Sequence, residues 1–139
     1  LPLAIETRNR NFLTESFFRF LLEYRLLPVF SEKIYMPHVY EAYALYRELI
    51  QSDAVIRLLG GDRGALEEKT GMQWNAIIDP KPAEDKRAIL SMAMDLAARG
   101  HTVTINVNNH YEGSAPLTIA ELKSELSCMS FSRDAALPF

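Results

Sequence analysis

Hydrophobic and polar residues alternate along the chain in two patterns, one typical of strands and one typical of amphipathic helices. Four short segments have the pattern of strands, at residues 3–8, 26–30, 54–59 and 102–108. The third segment is almost continuously apolar, which is typical of a parallel strand buried on both faces. The fourth alternates with a period of two. Pro28 argues against the second segment, because proline cannot donate a hydrogen bond to a sheet.

Helical spacing of apolar residues predicts a helix after each strand, although the third strand is first followed by a long loop that contains Trp74. Gly100 is placed to end one of these helices, and Thr118 and Glu121 have the spacing of a capping box. The last residues, 128–139, show no period and are predicted to form a terminal tail. The predicted helices cover residues 14–25, residues 37–50, residues 83–99 and the stretch that starts near Thr118.

Strict alternation of strands and helices predicts parallel pairing through βα crossovers. Two α/β architectures fit this order, a small doubly wound sheet and part of a (β/α)₈ barrel. Polar residues on single strand faces favour the barrel, since both faces of a doubly wound sheet lie under apolar helices. We predict that residues 1–127 form four βα units, the C-terminal half of a TIM-like barrel, followed by the tail. The polar rows are Glu6 and Arg8 on the first strand and Thr102, Thr104, Asn106 and Asn108 on the fourth.

Length and composition fit one domain in a reducing compartment. The chain has 139 residues, a net charge of -3 and a single cysteine, Cys128. A lone thiol suits a cytoplasmic location, and no apolar stretch approaches the roughly 20 residues that cross a bilayer. Because residue 1 is leucine, we expect the chain to be a piece of a longer protein. The net negative charge argues against nucleic-acid binding over the whole surface but permits a local basic groove.

The richest polar segment follows the fourth strand, where Asn108, Asn109, His110 and Tyr111 stand in a row. In a barrel, the carboxyl ends of the strands are where sites are built. Amides and an imidazole suit phosphate or hydroxyl-rich ligands. The alternative is structural: the amides would bind loop backbone, and the two rings would lie over a helix end.

A glycine-rich stretch follows the third strand. Gly60 and Gly61 would let backbone N–H groups approach a phosphate. Arg63 would add a charged guanidinium, which can donate two parallel hydrogen bonds. The stretch is not a P-loop, because the residue before Lys69 is Glu68 rather than glycine. A simple turn is the alternative interpretation.

Three charged residues interrupt otherwise apolar strands, namely Glu6, Arg8 and Arg57. A buried arginine needs a partner, and Glu6 is the obvious one for Arg57. The pair is either a structural ion pair or part of a ligand site, in which Glu6 and His110 would be the catalytic acid or base. A metal site is the weaker hypothesis, because few ligands besides Glu6, Asp62 and His110, with Glu32 as a fourth, are placed for one. We assign no metal, and the sequence leaves the identity of any cofactor unknown.

Several of these segments resemble one known family. Glu6-Thr7-Arg8, residues 55–60, and Asn108 to Gly113 with Ala115-Pro116 are similar to the YecE-like family, domain-of-unknown-function family 72. The resemblance covers roughly residues 1–127 and implies the C-terminal half of a TIM-barrel-like fold without a settled activity. The chain departs from the family pattern at Phe12, where a tryptophan is usual, and at Leu59, where a histidine often stands.

Two functional hypotheses follow. The first is a ligand-binding or hydrolytic barrel for a phosphate-bearing or polyhydroxy small molecule. The second is a nucleic-acid-binding barrel without chemistry from this half, whose affinity would fall steeply with salt. In either case we expect a second copy, or the missing N-terminal half, to close the barrel. The arginines that would track phosphates in the second hypothesis are Arg8, Arg10, Arg57 and Arg63.

Overall fold

The computed structural model describes residues 1–131 and shows an α/β fold in which strands and helices alternate. Two single turns of 3₁₀ helix, Arg10–Phe12 and Arg47–Leu49, lie between the main elements. None of the helices within these residues is long and apolar enough to cross a membrane. The strands are β1 (Ala4–Glu6), β2 (Leu27–Lys33), β3 (Ala54–Gly60) and β4 (Val103–Val107); the helices are α1 (Glu15–Glu23), α2 (Val39–Tyr46), α3 (Arg63–Thr70), α4 (Ala83–Ala98) and α5 (Ala115–Phe131).

The four strands form one parallel sheet in the order β1-β2-β3-β4. β2 extends three residues beyond its predicted end and includes Pro28. The proline is tolerated because the pairing of β2 with β3 begins one residue later, at Val29 opposite Val55. Sequential order and parallel pairing are those expected of consecutive βα units.

The core lies between one face of the sheet and the helices. Phe30 of β2 and Ile56 and Leu58 of β3 are almost fully buried there, and each buried side chain of this size stabilises the fold by about 1.5–3 kcal/mol. The prediction that the third strand is buried on both faces is wrong, because its burial alternates residue by residue. The helical residues of this core are Phe18 and Leu21 of α1, Val39, Ala42 and Tyr43 of α2, Ile89, Leu90, Met92 and Leu96 of α4, and Leu122 of α5.

The other face of the sheet is partly open and carries a row of polar residues. Register places Ser31 opposite Arg57 and Arg57 opposite Asn106. Glu6 lies opposite Val29, which shares a face with Ser31 two residues on. Side chains from all four strands therefore project from this open face.

Two helix starts differ from the sequence predictions. The stretch after β3, predicted as a glycine loop, is helix α3, capped by the Asp62 carboxylate, which accepts from the Ala65 N–H at 3.1 Å. α5 starts at Ala115, so Thr118 is not its cap. Thr118 is fully buried, and its hydroxyl donates to Glu112 at 2.7 Å. α5 also continues to Phe131, beyond the predicted boundary at residue 127, and the rest of the predicted tail lies outside the described residues.

Candidate functional site

A charged cluster lies on the open face, where the end of β1 meets the middle of β2 and β3; we call these residues, Glu6, Arg8, Ser31 and Arg57, the Arg57 cluster. Arg57 Nη1 donates to Glu6 Oε2 at 2.8 Å. Ser31 Oγ donates to Glu6 Oε1 at 2.5 Å, and Arg8 Nε donates to the same oxygen at 3.2 Å. The partner predicted for Arg57 is therefore confirmed.

The environment of Glu6 favours its carboxylate form. Partial burial raises the pKa of Glu6, but the hydrogen bonds from Ser31 and Arg8 and the charge of Arg57 outweigh burial and hold that pKa below its ordinary value of 4.5. A carboxyl group of this kind is charged at neutral pH, so it does not supply a proton as a general acid. Its evident effect is to position the Arg57 guanidinium, whose side chain is 32% exposed.

A second cluster surrounds His110 in the loop after β4; we call Glu67, Trp74, Asn108 and His110 the His110 cluster. His110 Nδ1 lies 2.7 Å from Asn108 Oδ1, and His110 Nε2 lies 3.0 Å from Glu67 Oε1. The ring centroids of Trp74 and His110 are 4.7 Å apart. Hydrogen bonds from Arg63 and His110 lower the pKa of Glu67. Both imidazole nitrogens are therefore engaged, and the side chain is only 16% exposed.

A cleft of about 290 Å³ opens between the ends of β2 and β3 and the starts of α2 and α4. Its lining includes Glu32, Tyr35, Asp85 and Tyr111, and we call it the Tyr35 cleft. Glu32 accepts from the Val39 N–H at 2.9 Å, at the start of α2. The opening lies at the carboxyl end of the sheet, as does the His110 cluster.

Comparison with known proteins identifies the family to which this chain belongs. A family model described as "Protein of unknown function DUF72" matches residues 1–137. The chain belongs to the DUF72 family. This confirms the family resemblance found in its motifs, and it brings no assigned activity. No curated protein matches the chain significantly.

A solved structure from the same family has a similar fold. The crystal structure of a DUF72 family protein from Thermotoga maritima matches with a TM-score of 0.62 and 19% identity. The match covers 91% of this chain and 46% of that protein, so this chain spans about half the length of that relative.

Three of the ligand residues predicted for the DUF72 chain have structural contacts. Asn109 Oδ1 accepts from the Ala115 N–H at 2.8 Å, at the start of α5. Tyr111 is 2% exposed and belongs to the core. Arg63 Nε donates to Glu67 at 2.7 Å along the exposed side of α3. The contact of Asn109 is of the kind expected from the structural alternative, in which the amides bind loop backbone; Arg63 lies in α3 rather than in a simple turn, and Tyr111 also lines the Tyr35 cleft.

The two predicted glycines differ in their surroundings. Gly60 has a positive φ of 83°, and a Cβ there would lie 2.2 Å from the backbone oxygen of His110. Glycine is thus required so that the loop after β4 can pack against the end of β3. A Cβ added at Gly61 would meet no atom within 4 Å, and this glycine lines the Tyr35 cleft.

Sequence reasoning missed one buried acid in the family motif. Glu112 is fully buried, and its carboxylate accepts from the Lys86 ammonium at 2.9 Å and from the Lys81 N–H at 2.8 Å. These contacts tie the loop after β4 to the start of α4. The sequence shows Glu112 directly after Tyr111, but its partners Lys86 and Lys81 lie 26 and 31 residues away along the chain.

No metal site is formed within residues 1–131, where no group of three or more histidine, cysteine, aspartate or glutamate side chains is arranged to hold an ion. Of the ligands considered from sequence, Glu6 binds Arg57, His110 binds Glu67, and Asp62 caps α3. Glu32 Oε1 lies 2.6 Å from His38 Nδ1. These four side chains therefore have separate partners in the described residues.

Proposed function

We propose that this chain forms half of a (β/α)₈ barrel and binds, inside that barrel, the anionic group of a phosphate-bearing or polyhydroxy ligand. The fold supports the first part: strands in sequential order, with core helices packed on one face, curve naturally into a barrel wall. The length of the Thermotoga relative, about twice the matched region, leaves room for the other half.

The ligand site rests on one observation, the Arg57 guanidinium on the open face. Within the described residues, its hydrogen bond is to Glu6 through Nη1. A guanidinium carries five N–H donors, so others are available to a ligand. Arginine in a fixed orientation is the usual recognition group for phosphate and carboxylate, because its fork donates two parallel hydrogen bonds.

The charge and the neighbours of Arg57 suit such a ligand. Arg8 and Arg57 share the single carboxylate of Glu6, which leaves the cluster with an excess of one positive charge. Asn106, paired in register with Arg57, adds an exposed amide that can bind hydroxyl groups. We assign to Glu6 the positioning of Arg57 rather than acid catalysis, because its lowered pKa keeps it charged.

Substitution of Arg57 tests this proposal. Arg57→Ala should weaken the binding of inorganic phosphate and ribose 5-phosphate at least tenfold, since one charge-assisted hydrogen bond contributes about 1.5–3 kcal/mol. Arg57→Lys should bind with intermediate affinity, because it keeps the charge without the fork. Isothermal titration calorimetry measures both. Arg19→Ala is the control, since Arg19 is an exposed arginine paired with Glu15 on α1.

Folding and salt dependence complete the test. If Arg57→Ala unfolds the chain, the double variant Glu6→Gln/Arg57→Met removes both charges at once. Wild-type affinity in that folded double variant would contradict the proposal and leave a purely structural ion pair. A steep fall of affinity for single-stranded DNA with salt, with no binding of small phosphates, would instead favour the nucleic-acid hypothesis.

A further inference from the structure

The Tyr35 cleft has the size of a small-ligand site. Its volume of about 290 Å³ is at the lower end of the roughly 300–1,000 Å³ found for ligand pockets. It lies at the carboxyl end of the sheet but beside the starts of α2 and α4, on the helix-covered side, whereas the Arg57 cluster is on the open face. The two are separate places on the molecule.

Tyr35 is held in the turn after β2 in a conformation that tyrosine rarely adopts. Its φ is +68°, in the left-handed region, and the residue is 84% exposed. Arg25 and Met72 also have positive φ, but they follow α1 and α3, where this conformation commonly ends a helix. Tyr35 is the third residue of a turn in which the Met36 N–H donates to the Lys33 carbonyl at 3.1 Å, and a positive φ is common at that turn position; the turn leaves an exposed aromatic ring at the cleft.

The rest of the lining combines hydrogen-bond acceptors with donors in balanced charge. Asp85 supplies a carboxylate and Lys33 an ammonium group to a ligand, whereas Glu32 is already bound by His38 and Val39 and the Lys81 ammonium is paired with Asp79. Asp85 Oδ1 accepts from the Tyr40 hydroxyl at 2.8 Å, which leaves the other oxygen of Asp85 for a ligand. The Lys33 ammonium makes no hydrogen bond or ion pair with the described residues.

From this geometry we propose that the Tyr35 cleft binds the ring of a neutral saccharide. A sugar ring has an apolar face of C–H groups, which packs on an aromatic ring, and an edge of hydroxyl groups that both donate and accept. The Asp85 carboxylate and the Lys33 ammonium match that edge, and their opposite charges give no preference for an anion. The proposal goes beyond the binding of an anion by Arg57 and does not depend on it.

Titration of the full chain with D-glucose, D-galactose and D-mannose, followed by ¹H–¹⁵N NMR, tests the proposal. We expect at least one sugar to shift the amide signals of Gly61, Lys33 and their neighbours with a millimolar dissociation constant. Tyr35→Ala should weaken that binding at least fivefold. Tyr24→Ala is the matched control, because Tyr24 is an exposed tyrosine, 61% accessible, at the end of α1.

Two further variants separate this site from folding and from the Arg57 cluster. Tyr35→Gly relieves the positive φ, so its melting temperature should equal or exceed that of the wild type while sugar binding is lost. Arg57→Ala should leave sugar binding unchanged. The proposal is overturned if no sugar binds, if both Tyr35 variants keep wild-type affinity, or if Arg57→Ala rather than Tyr35→Ala removes binding.

Discussion

Asp95 joins α4 to the end of α2 through a paired set of charged contacts. Arg47 Nε lies 2.7 Å from Asp95 Oδ2, and Arg47 Nη2 lies 2.8 Å from Asp95 Oδ1. The Tyr43 hydroxyl donates to the same carboxylate and accepts from Arg99 Nη1 at 3.0 Å. The Asp95 side chain is only 7% exposed. A buried carboxylate with this many donors has its hydrogen-bonding capacity satisfied, and it fixes the position of the two helices relative to each other.

Asp95→Asn should destabilise the fold by about 2 kcal/mol at pH 7, because the amide keeps the shape but loses the charge that faces Arg47. The Arg47 hydrogen bonds lower the pKa of Asp95 below its ordinary 3.8, although burial opposes them. A lowered folded-state pKa stabilises the fold fully above the unfolded-state value and loses that contribution as the pH falls through the folded-state value. The difference between wild type and variant should therefore shrink below about pH 4.

Urea unfolding followed by circular dichroism at several pH values between 2 and 7 measures this effect. Glu48→Gln is the control, since Glu48 also contacts Arg47 but its side chain is 85% exposed, and exposed pairs contribute little. An unfolding free energy difference for Asp95→Asn that stays constant across this pH range would contradict the assignment.

At the scale of elements, the loop after β4 and the end of β3 are packed backbone against backbone. A Cβ at position 60 would meet His110 O at 2.2 Å and Tyr111 Cα at 2.8 Å. Gly60→Ala should therefore cost more than about 2 kcal/mol, from the clash and the left-handed φ together. It should also displace His110 from Trp74.

The chain has a single tryptophan, so Trp74 fluorescence reports that displacement directly. We expect Gly60→Ala to change the emission maximum and to lower the urea midpoint. Gly61→Ala should change neither, because no atom lies within 4 Å of the added Cβ. Equal behaviour of the two variants would show that the loop does not depend on the close approach at Gly60.

Elements with a strong apolar period could be predicted from the sequence, and others could not. The predicted α4 agrees with the observed one to within a residue, because Gly100 marks its end. α3 was missed because its eight residues, RGALEEKT, are mostly polar and carry little apolar pattern. It starts at the Asp62 cap and ends at Gly71 in the left-handed conformation, two local signals that are equally typical of a glycine-rich loop.

The candidate site could likewise be predicted only in part from the sequence. The Glu6–Arg57 pair was predictable, since a charge in an apolar strand needs a partner. Ser31 was not, because the predicted second strand stopped at residue 30, before the residue whose hydroxyl contacts Glu6. The Tyr35 cleft depends on turns and helix starts that come together only in the folded chain, so no sequence spacing indicates it.

For the whole molecule, the open face of the sheet is the feature that needs an explanation. Among residues 1–131, β1 and β4 are the two edges of the sheet, each paired with one strand. Val55 and Leu59 of β3 lie half-buried beside Arg57 on the open face. Open sheet edges are sites of association with other strands, and apolar side chains on the open face gain by being covered. Both features are those expected of a barrel wall that is completed by further strands.

We therefore expect the isolated chain to self-associate, so that two copies together form a closed barrel of eight strands. Val55→Lys places a charge on the open face and should shift the chain to a monomer in sedimentation equilibrium. Its intrinsic stability should fall by no more than about 1 kcal/mol, the span of strand propensities, since Val55 is outside the helix-covered core. Leu45→Lys is the matched control: Leu45 is 73% exposed on α2, so charge there should leave association intact. A wild-type chain that stays a compact monomer at every concentration would contradict the half-barrel proposal, because an unclosed barrel wall would then be stable with its interior face in water.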